Sequence, residues 1–362
     1  MSLPGSVREM AAHFRECFPA DRCLDLNFAG CTIRVCTNSQ AVTSELSGYF
    51  KEFAAKAHSP RVQITVHECP ISDLGLAYTV KEPDPGKTKI KEEWADFSDG
   101  RVVRKRLTGM VFIFGQGENL AVGPCLENAN QVVNFINNRF IEWKLNQGGL
   151  LGHAAGVALN GRGLSLAGFS GAGKSTLALH LMSLGATFVS NDRVIVEQSG
   201  SGLVMYGVAK QPRINPGTVL NNPDLSGIVE PENLESFKNL APEELRQLEH
   251  KYDALIDECF GPGRFTLRSV LSGLLILNWD REGGPFGLKR VDPEKRKDLL
   301  PAFIKSTGLF YLPSDLGRMA DPLPDEYART LARTRVYEIT GGMDFAGAAE
   351  ACLDLLKSGG PA

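Results

Sequence analysis

Two periods govern the apolar positions in the first part of the chain. Cys31 to Cys36 (CTIRVC) and Arg61 to His67 (RVQITVH) alternate apolar with polar residues, the pattern of half-buried strands. Between them, Val42, Leu46, Tyr49, Phe50 and Phe53 recur at helical intervals and predict a helix over Ala41 to Ala57. The opening residues, MSLPGSVREMAAHFRECF, predict a short amphipathic helix. Lys81 to Asp99 is polar, and Pro83, Asp84, Pro85 and Gly86 mark a turn, so this stretch predicts a surface loop. Arg101 to Arg106 and Leu107 to Phe114 predict a pair of hairpin strands. Asn128 to Asn146 carries Val132, Val133, Ile136, Phe140 and Trp143 on one helical stripe and stops before Gly148-Gly149.

From Val157 onward the pattern changes to buried strands, glycine turns and helices. Leu164 to Ala167 predicts a short strand, and Lys174 to Leu184 a helix stopped by Gly185. Thr187 to Ser190 predicts a strand ending at Asn191-Asp192. Val194 to Glu197 and Leu203 to Tyr206 flank Gly200-Ser201-Gly202 as a hairpin. Glu230 to Asp257 predicts a charged helical stretch interrupted near Pro242. Val270 to Trp279 (VLSGLLILNW) is apolar on both faces and predicts a central strand; Arg335 to Ile339 adds another, and Phe345 to Leu356 a final helix. The chain therefore divides, on pattern, into an α+β region over 1–147 and an α/β core over 148–362.

Composition changes this picture little. Over 362 residues the chain is 43% hydrophobic and 22% charged, with a net charge of −3, which gives no general attraction to nucleic acid or anionic membranes. Arg139, Phe140, Trp143 and Lys144 mix basic and aromatic residues, but on an amphipathic helix they predict packing and not a nucleic-acid surface. The weakly polar stretch Gly148 to Leu159 is too short to span a bilayer, and the N-terminus lacks the apolar centre of a secretion signal. A cytoplasmic location is the expectation. Among eight cysteines no C-x-x-C pair occurs, so reduced and mostly buried thiols are expected.

The densest chemistry lies in Gly168-Phe169-Ser170-Gly171-Ala172-Gly173-Lys174-Ser175, which satisfies G-x-x-x-x-G-K-[ST]. Glycines let the backbone turn several N–H groups toward one centre, an anion-binding nest. Lys174 supplies a point charge for outer phosphates, and the Ser175 hydroxyl can hold a magnesium ion bridging them. The predicted strand before this loop and helix after it are the context the motif requires, and they extend the cradle to Thr176. Asp192, at the end of the next strand, is the expected second magnesium ligand. Asn191 can orient a hydroxyl or water but cannot take a proton as a carboxylate can. His153, among Gly152, Ala154, Ala155 and Gly156, has room to meet a ligand. The segment Lys210-Gln211-Pro212-Arg213-Ile214-Asn215-Pro216-Gly217-Thr218 predicts an ordered, cationic loop, and Arg264 between glycines offers a mobile guanidinium.

From His153 to Glu197 the chain resembles the catalytic core of bacterial HPr kinase/phosphorylase. That family carries a loop of the type G-x-S-G-x-G-K-S, a helix, and then R-G-H-x-L-V-A-D-D. Here the matching text is GFSGAGKSTLALHLMSLGATFVSNDRVIVE. The family's histidine stands 21 residues before the loop lysine and its first aspartate 17 after, the positions of His153 and Asn191 here. The resemblance implies a P-loop core of the type shared with ATP-dependent phosphoenolpyruvate carboxykinase. It also implies ATP and Mg2+ as ligands, His153, Lys174, Asn191 and Asp192 as catalytic positions, and a homo-oligomer. It departs at Asn191, where the family has its proton-accepting aspartate, and at Thr176, where many members have glutamate. The family's E-I-R-G-x-G-I segment is also not recognisable. The expectation is an ATP-dependent kinase whose acceptor is a protein or small molecule other than HPr. The competing expectation is an ATP-binding sensor. No N-K-x-D segment reads guanine, and no transporter signature occurs.

Overall fold

The computed structural model describes residues 5–71, 73–83, 88–241, 244–245, 248, 251–280, 282–314 and 321–358. It is a mixed α/β structure whose chain divides into two compact units, Met1–Gln147 with Thr307–Asp321, and Gly148–Ser306 with Pro322–Ala362. No helix among the described residues is long and apolar enough to cross a membrane.

The first unit is built on eight strands: β1 (Arg22–Phe28), β2 (Cys31–Thr37), β3 (Val62–Glu68), β4 (Thr79–Val80), β5 (Glu92–Phe97), β6 (Gly100–Lys105), β7 (Val111–Gly115) and β8 (Glu118–Gly123). They lie in the order β1-β2-β3-β8-β7-β6-β5-β4. Helix α1 (Val7–Cys17) starts where the Ser6 hydroxyl accepts the Glu9 N–H, and its stripe Val7, Met10, Ala11, Phe14 packs on Val102, Val111, Ile113, Leu120 and Val122. Helix α2 (Gln40–Tyr49) is shorter than the spacing predicts, because a 3₁₀ turn over Lys51–Phe53 carries Ala54 to a bridge with Leu26 of β1. Helix α3 (Ala129–Leu145) matches its predicted stripe.

Two expectations fail here. Part of the polar stretch over Lys81 to Asp99 is strand β5: Glu92 faces Lys81 and Lys105, and Glu93 faces Arg104, so cross-strand cations satisfy the carboxylates that made it read as a loop. The turn residues Asp84, Pro85 and Gly86 lie outside the described residues. The cysteines are not all reduced, since Cys23 and Cys36 are joined. Antiparallel pairing of β1 with β2 sets these two directly opposite, a juxtaposition their sequence spacing does not show.

His67 makes this unit acid-sensitive. It is fully buried, its Nδ1–H donates to the Phe18 carbonyl at 2.9 Å, and its Nε2 has no hydrogen-bond partner among the described residues. Burial pushes its pKa down to about 4, against the weaker upward pull of the Phe18 carbonyl. The unfolded chain therefore takes up this proton first as pH falls below the ordinary histidine range near 6.5. Stability is complete above that point and declines toward pH 4, by on the order of 3 kcal/mol from this group alone. Urea melts between pH 7 and 4 should show this slope for the wild type and a shallower one for His67→Leu; equal slopes would refute it.

The second unit is a nine-stranded sheet. Its strands are β9 (Leu150–Gly152), β10 (Ala154–Leu159), β11 (Arg162–Gly168), β12 (Thr187–Ser190), β13 (Val194–Ser199), β14 (Gly202–Tyr206), β17 (Arg268–Leu277), β18 (Gly287–Val291) and β19 (Arg335–Thr340); β15 (Arg213–Ile214) and β16 (Tyr252–Asp253) form a separate pair. The order β12-β10-β11-β17-β14-β13-β9 is completed by β19, which runs parallel to the second half of β17 and carries β18 on its far edge. Strand β17 is central, and its second half, Gly273 to Leu277, is buried on both faces, alternate residues entering different cores. Leu274 and Ile276 enter a core with Phe303, Tyr327 and Leu331, while Leu275 and Leu277 enter another with helix α4 (Lys174–Ser183) and the helix Phe345–Ser358. Among the described residues, the predicted helical stretch over Glu230 to Asp257 is broken into helix at Pro231–Lys238, at 244–245 and at Ile256–Phe260, with Tyr252–Asp253 diverted into pairing with Arg213–Ile214. Pro242 lies outside the described residues.

Candidate functional site

Register brings the chemistry to one edge of this sheet. Strands β11 and β17 run parallel, with Gly168 beside Leu277, so both reach the edge together. Strand β10 is antiparallel to β11 with Ala154 opposite Ala167, which sets the preceding His153 level with Gly168. Strand β12 pairs antiparallel with β10 through Gly156 and Ser190, so Asn191-Asp192 emerge at that same edge. The three segments are local in space although spread along the sequence.

The glycine-rich loop spans from the end of β11 to the start of α4. Ala172 N donates to Phe169 O at 3.1 Å, and Trp279 Nε1 donates to Ala172 O at 2.9 Å, which braces the loop from β17. Gly173, at φ +81°, is the position before the helix; a Cβ there would lie 2.4 Å from the Phe345 ring, so only glycine fits. No side chain caps this helix start among the described residues, and the N–H groups of a first helical turn have no acceptor within the helix. Lys174 Nζ folds back onto Gly168 O at 2.7 Å and Phe169 O at 3.4 Å. Burial lowers its pKa, offset in part by the nearby Asp192 charge. Ser170 and Gly171 are exposed at the tip, and Ser175 is partly buried in the first turn of α4. Thr176 Oγ1 lies 3.1 Å from Thr218 Oγ1, so the predicted cationic segment does reach this helix.

Asp192 is the electrostatic focus. His153 Nε2 lies 3.3 Å from its Oδ1, Arg193 Nε 3.5 Å from its Oδ2, and Lys305 Nζ 3.7 Å from the same Oδ2. Partial desolvation would raise the Asp192 pKa, but the His153 hydrogen bond, followed by the Lys305 and Arg193 charges, holds it well below the usual carboxylate range. Asn191 is half-buried, and its buried Oδ1 finds no hydrogen-bond partner among the described residues. Lys210 is depressed by burial and then by Arg193, and Arg213 pairs with Asp253 at 3.2 Å.

Two placements differ from what the sequence suggested. Arg264 is not mobile: its guanidinium donates to Met182 O at 2.8 Å and Ala186 O at 3.2 Å, capping the far end of α4. Lys305 gave no signal at all in the sequence. It arrives through non-local pairing: Gly152 bridges Ile304, His153 N donates to Phe303 O at 2.5 Å, and Lys305 N donates to Leu151 O at 3.2 Å. Gly152 permits this approach, since a Cβ there would sit 2.3 Å from the Phe303 ring. No group of three or more His, Cys, Asp or Glu side chains is arranged to hold a metal ion among the described residues.

No family model matches this chain, and no curated protein does. Among solved structures, the HPr(Ser) kinase/phosphatase from Coxiella burnetii superposes with a TM-score of 0.29 at 11% identity, covering 57% of this chain and 94% of that one. A superposition this loose fixes no correspondence between residues.

Proposed function

We propose that this protein is an ATP-dependent phosphotransferase that moves the γ-phosphoryl group to a hydroxyl of a protein or small molecule. The observation that carries the proposal is the meeting, at one sheet edge, of an uncapped helix start, a lysine resting on the loop carbonyls, and a His153–Asp192 pair. Backbone N–H groups from Gly168 to Thr176 would cradle the phosphates, with Phe169, Ser170, Gly171, Ala172 and Gly173 shaping the nest. Lys174 would exchange its carbonyl partners for phosphate oxygens.

The donor set suits magnesium, which needs one or two protein oxygens and otherwise keeps water and phosphate ligands. Ser175 Oγ and the ionised Asp192 carboxylate would hold it, and when bound it neutralises charge on the β- and γ-phosphates. The chain's own groups do the rest. The acceptor oxygen bonds to the γ-phosphorus, the bond from that phosphorus to the β–γ bridging oxygen breaks, and ADP leaves with its electron pair. The hydroxyl proton passes to the His153–Asp192 pair. Asn191, standing where the resemblance places the family's base, can hydrogen-bond the acceptor but cannot remove its proton. Positioning and charge neutralisation dominate phosphoryl transfer, so this substitution slows the step without forbidding it.

The same Asn191 favours a second reading, an ATP-binding sensor that does not transfer phosphate. Purified protein incubated with magnesium and γ-labelled ATP in a cell extract should label one protein or metabolite, and Asn191→Asp should increase the rate about 10-fold or more by restoring a general base. Tight ATP binding with no labelled product for the wild type, and labelling only with Asn191→Asp, would replace the enzyme by the sensor.

A further inference from the structure

We infer that Lys305 contacts the terminal phosphoryl group of the bound nucleotide and makes the site prefer ATP to ADP; this rests on the phosphotransferase reading above. Lys305 is not a stray surface lysine. Its backbone is stitched to the β9 side of the sheet by the Gly152–Ile304 bridge and by bonds from Lys305 N to Leu151 O at 3.2 Å and from His153 N to Phe303 O at 2.5 Å. The residue is therefore held opposite Leu151, with Phe303 opposite His153, and its side chain, 26% exposed, reaches to 3.7 Å from Asp192 Oδ2. That gap is longer than a close charge-assisted hydrogen bond, which leaves the ammonium only loosely committed to the carboxylate.

Charge explains what it is for. Lys174 at the loop and Lys305 beside β9 both lie within electrostatic reach of a single carboxylate, Asp192, which Arg193 also approaches. Two lysines converging on one carboxylate hold an excess of positive charge that a polyanion relieves. Lys174 sits at the loop, where the inner and outer phosphates both pass. Lys305 approaches Asp192 at Oδ2 while His153 holds Oδ1, so both cations flank the carboxylate that the acceptor hydroxyl must approach. Between loop and acceptor lies only the phosphoryl group being transferred. Once Asp192 turns toward the metal ion, the Lys305 ammonium is free to pair with the non-bridging oxygens of that group. ADP lacks those oxygens, so it gains nothing from Lys305.

Calorimetry with ATP and ADP, each with magnesium, tests this without any turnover. The wild type should bind ATP more tightly than ADP by about 10- to 100-fold, the range of one charge-assisted contact. Lys305→Ala should lose that preference by weakening ATP alone, and Lys305→Arg should keep part of it. Thermal melts of both variants establish that they are folded. A wild type that prefers ATP while Lys305→Ala prefers it equally overturns the assignment, as does a variant that weakens both nucleotides alike, the signature of a lysine that merely steadies Asp192. A wild type that binds both equally overturns it too. A wild type that binds neither nucleotide overturns the phosphotransferase reading and this inference with it.

Discussion

Lys174→Ala is expected to weaken ATP binding by about 100- to 1,000-fold and to remove phosphate transfer, while leaving the melting temperature near that of the wild type. Its ammonium is satisfied by the carbonyls of Gly168, at the end of β11, and of Phe169 in the exposed loop, and its lowered pKa records that it is held partly out of water. A cation kept in that condition contributes little to folding and a great deal to an anion that arrives. Arginine should not restore it, because the planar guanidinium cannot occupy the space of a single ammonium beneath the loop. Calorimetry with ATP and magnesium, alongside a melt of the same sample, gives both numbers. Unchanged affinity in a folded variant would remove the glycine-rich loop from any nucleotide site.

The largest stability effect is expected at Glu142. Arg139 is 2% exposed, its Nη1 lies 3.0 Å from both Glu142 carboxylate oxygens, and its Nη2 donates to the Phe310 carbonyl. The guanidinium also lies over the Phe114 ring at 4.2 Å and the Phe135 ring at 5.1 Å. Burial lowers the Arg139 pKa and the Glu142 charge opposes that shift, yet arginine does not give up its proton. Glu142→Gln therefore leaves a buried charge without its counterion and should cost about 3–5 kcal/mol. Arg139→Met combined with Glu142→Gln should recover much of the loss, since the apolar replacement needs no partner. Urea melts of the three variants measure this; a single variant within about 1 kcal/mol of wild type would show that the pair is dispensable.

What could be read from the sequence was whatever depended on neighbours in sequence. The glycine-rich loop declared itself because Gly171 and Gly173 stand at φ +82° and +81°, a local backbone demand that glycine meets. Strand β17 was legible because both faces of its second half, Gly273 to Leu277, are buried and carry an unbroken apolar run, and the β13–β14 hairpin because its turn residues sit between alternating runs. Strand β5 was missed because Glu92 and Glu93 look like solvent-facing residues until Lys105 and Arg104 on the adjacent strand are known. The Cys23–Cys36 link and Lys305 were invisible for one shared reason. Each is created by pairing between strands or segments, and nothing in the spacing of the residues along the chain records that register.

The segment Thr307–Asp321 belongs to the first unit although it is encoded within the span of the second. Phe310 brings both a ring, stacked 5.7 Å from that of Phe114, and the carbonyl that Arg139 requires. The two units are thus interleaved along the chain. A chain cut before Thr307 would therefore deprive residues 1–147 of the Phe310 ring and of the carbonyl that receives the Arg139 guanidinium, contacts supplied from far along the sequence.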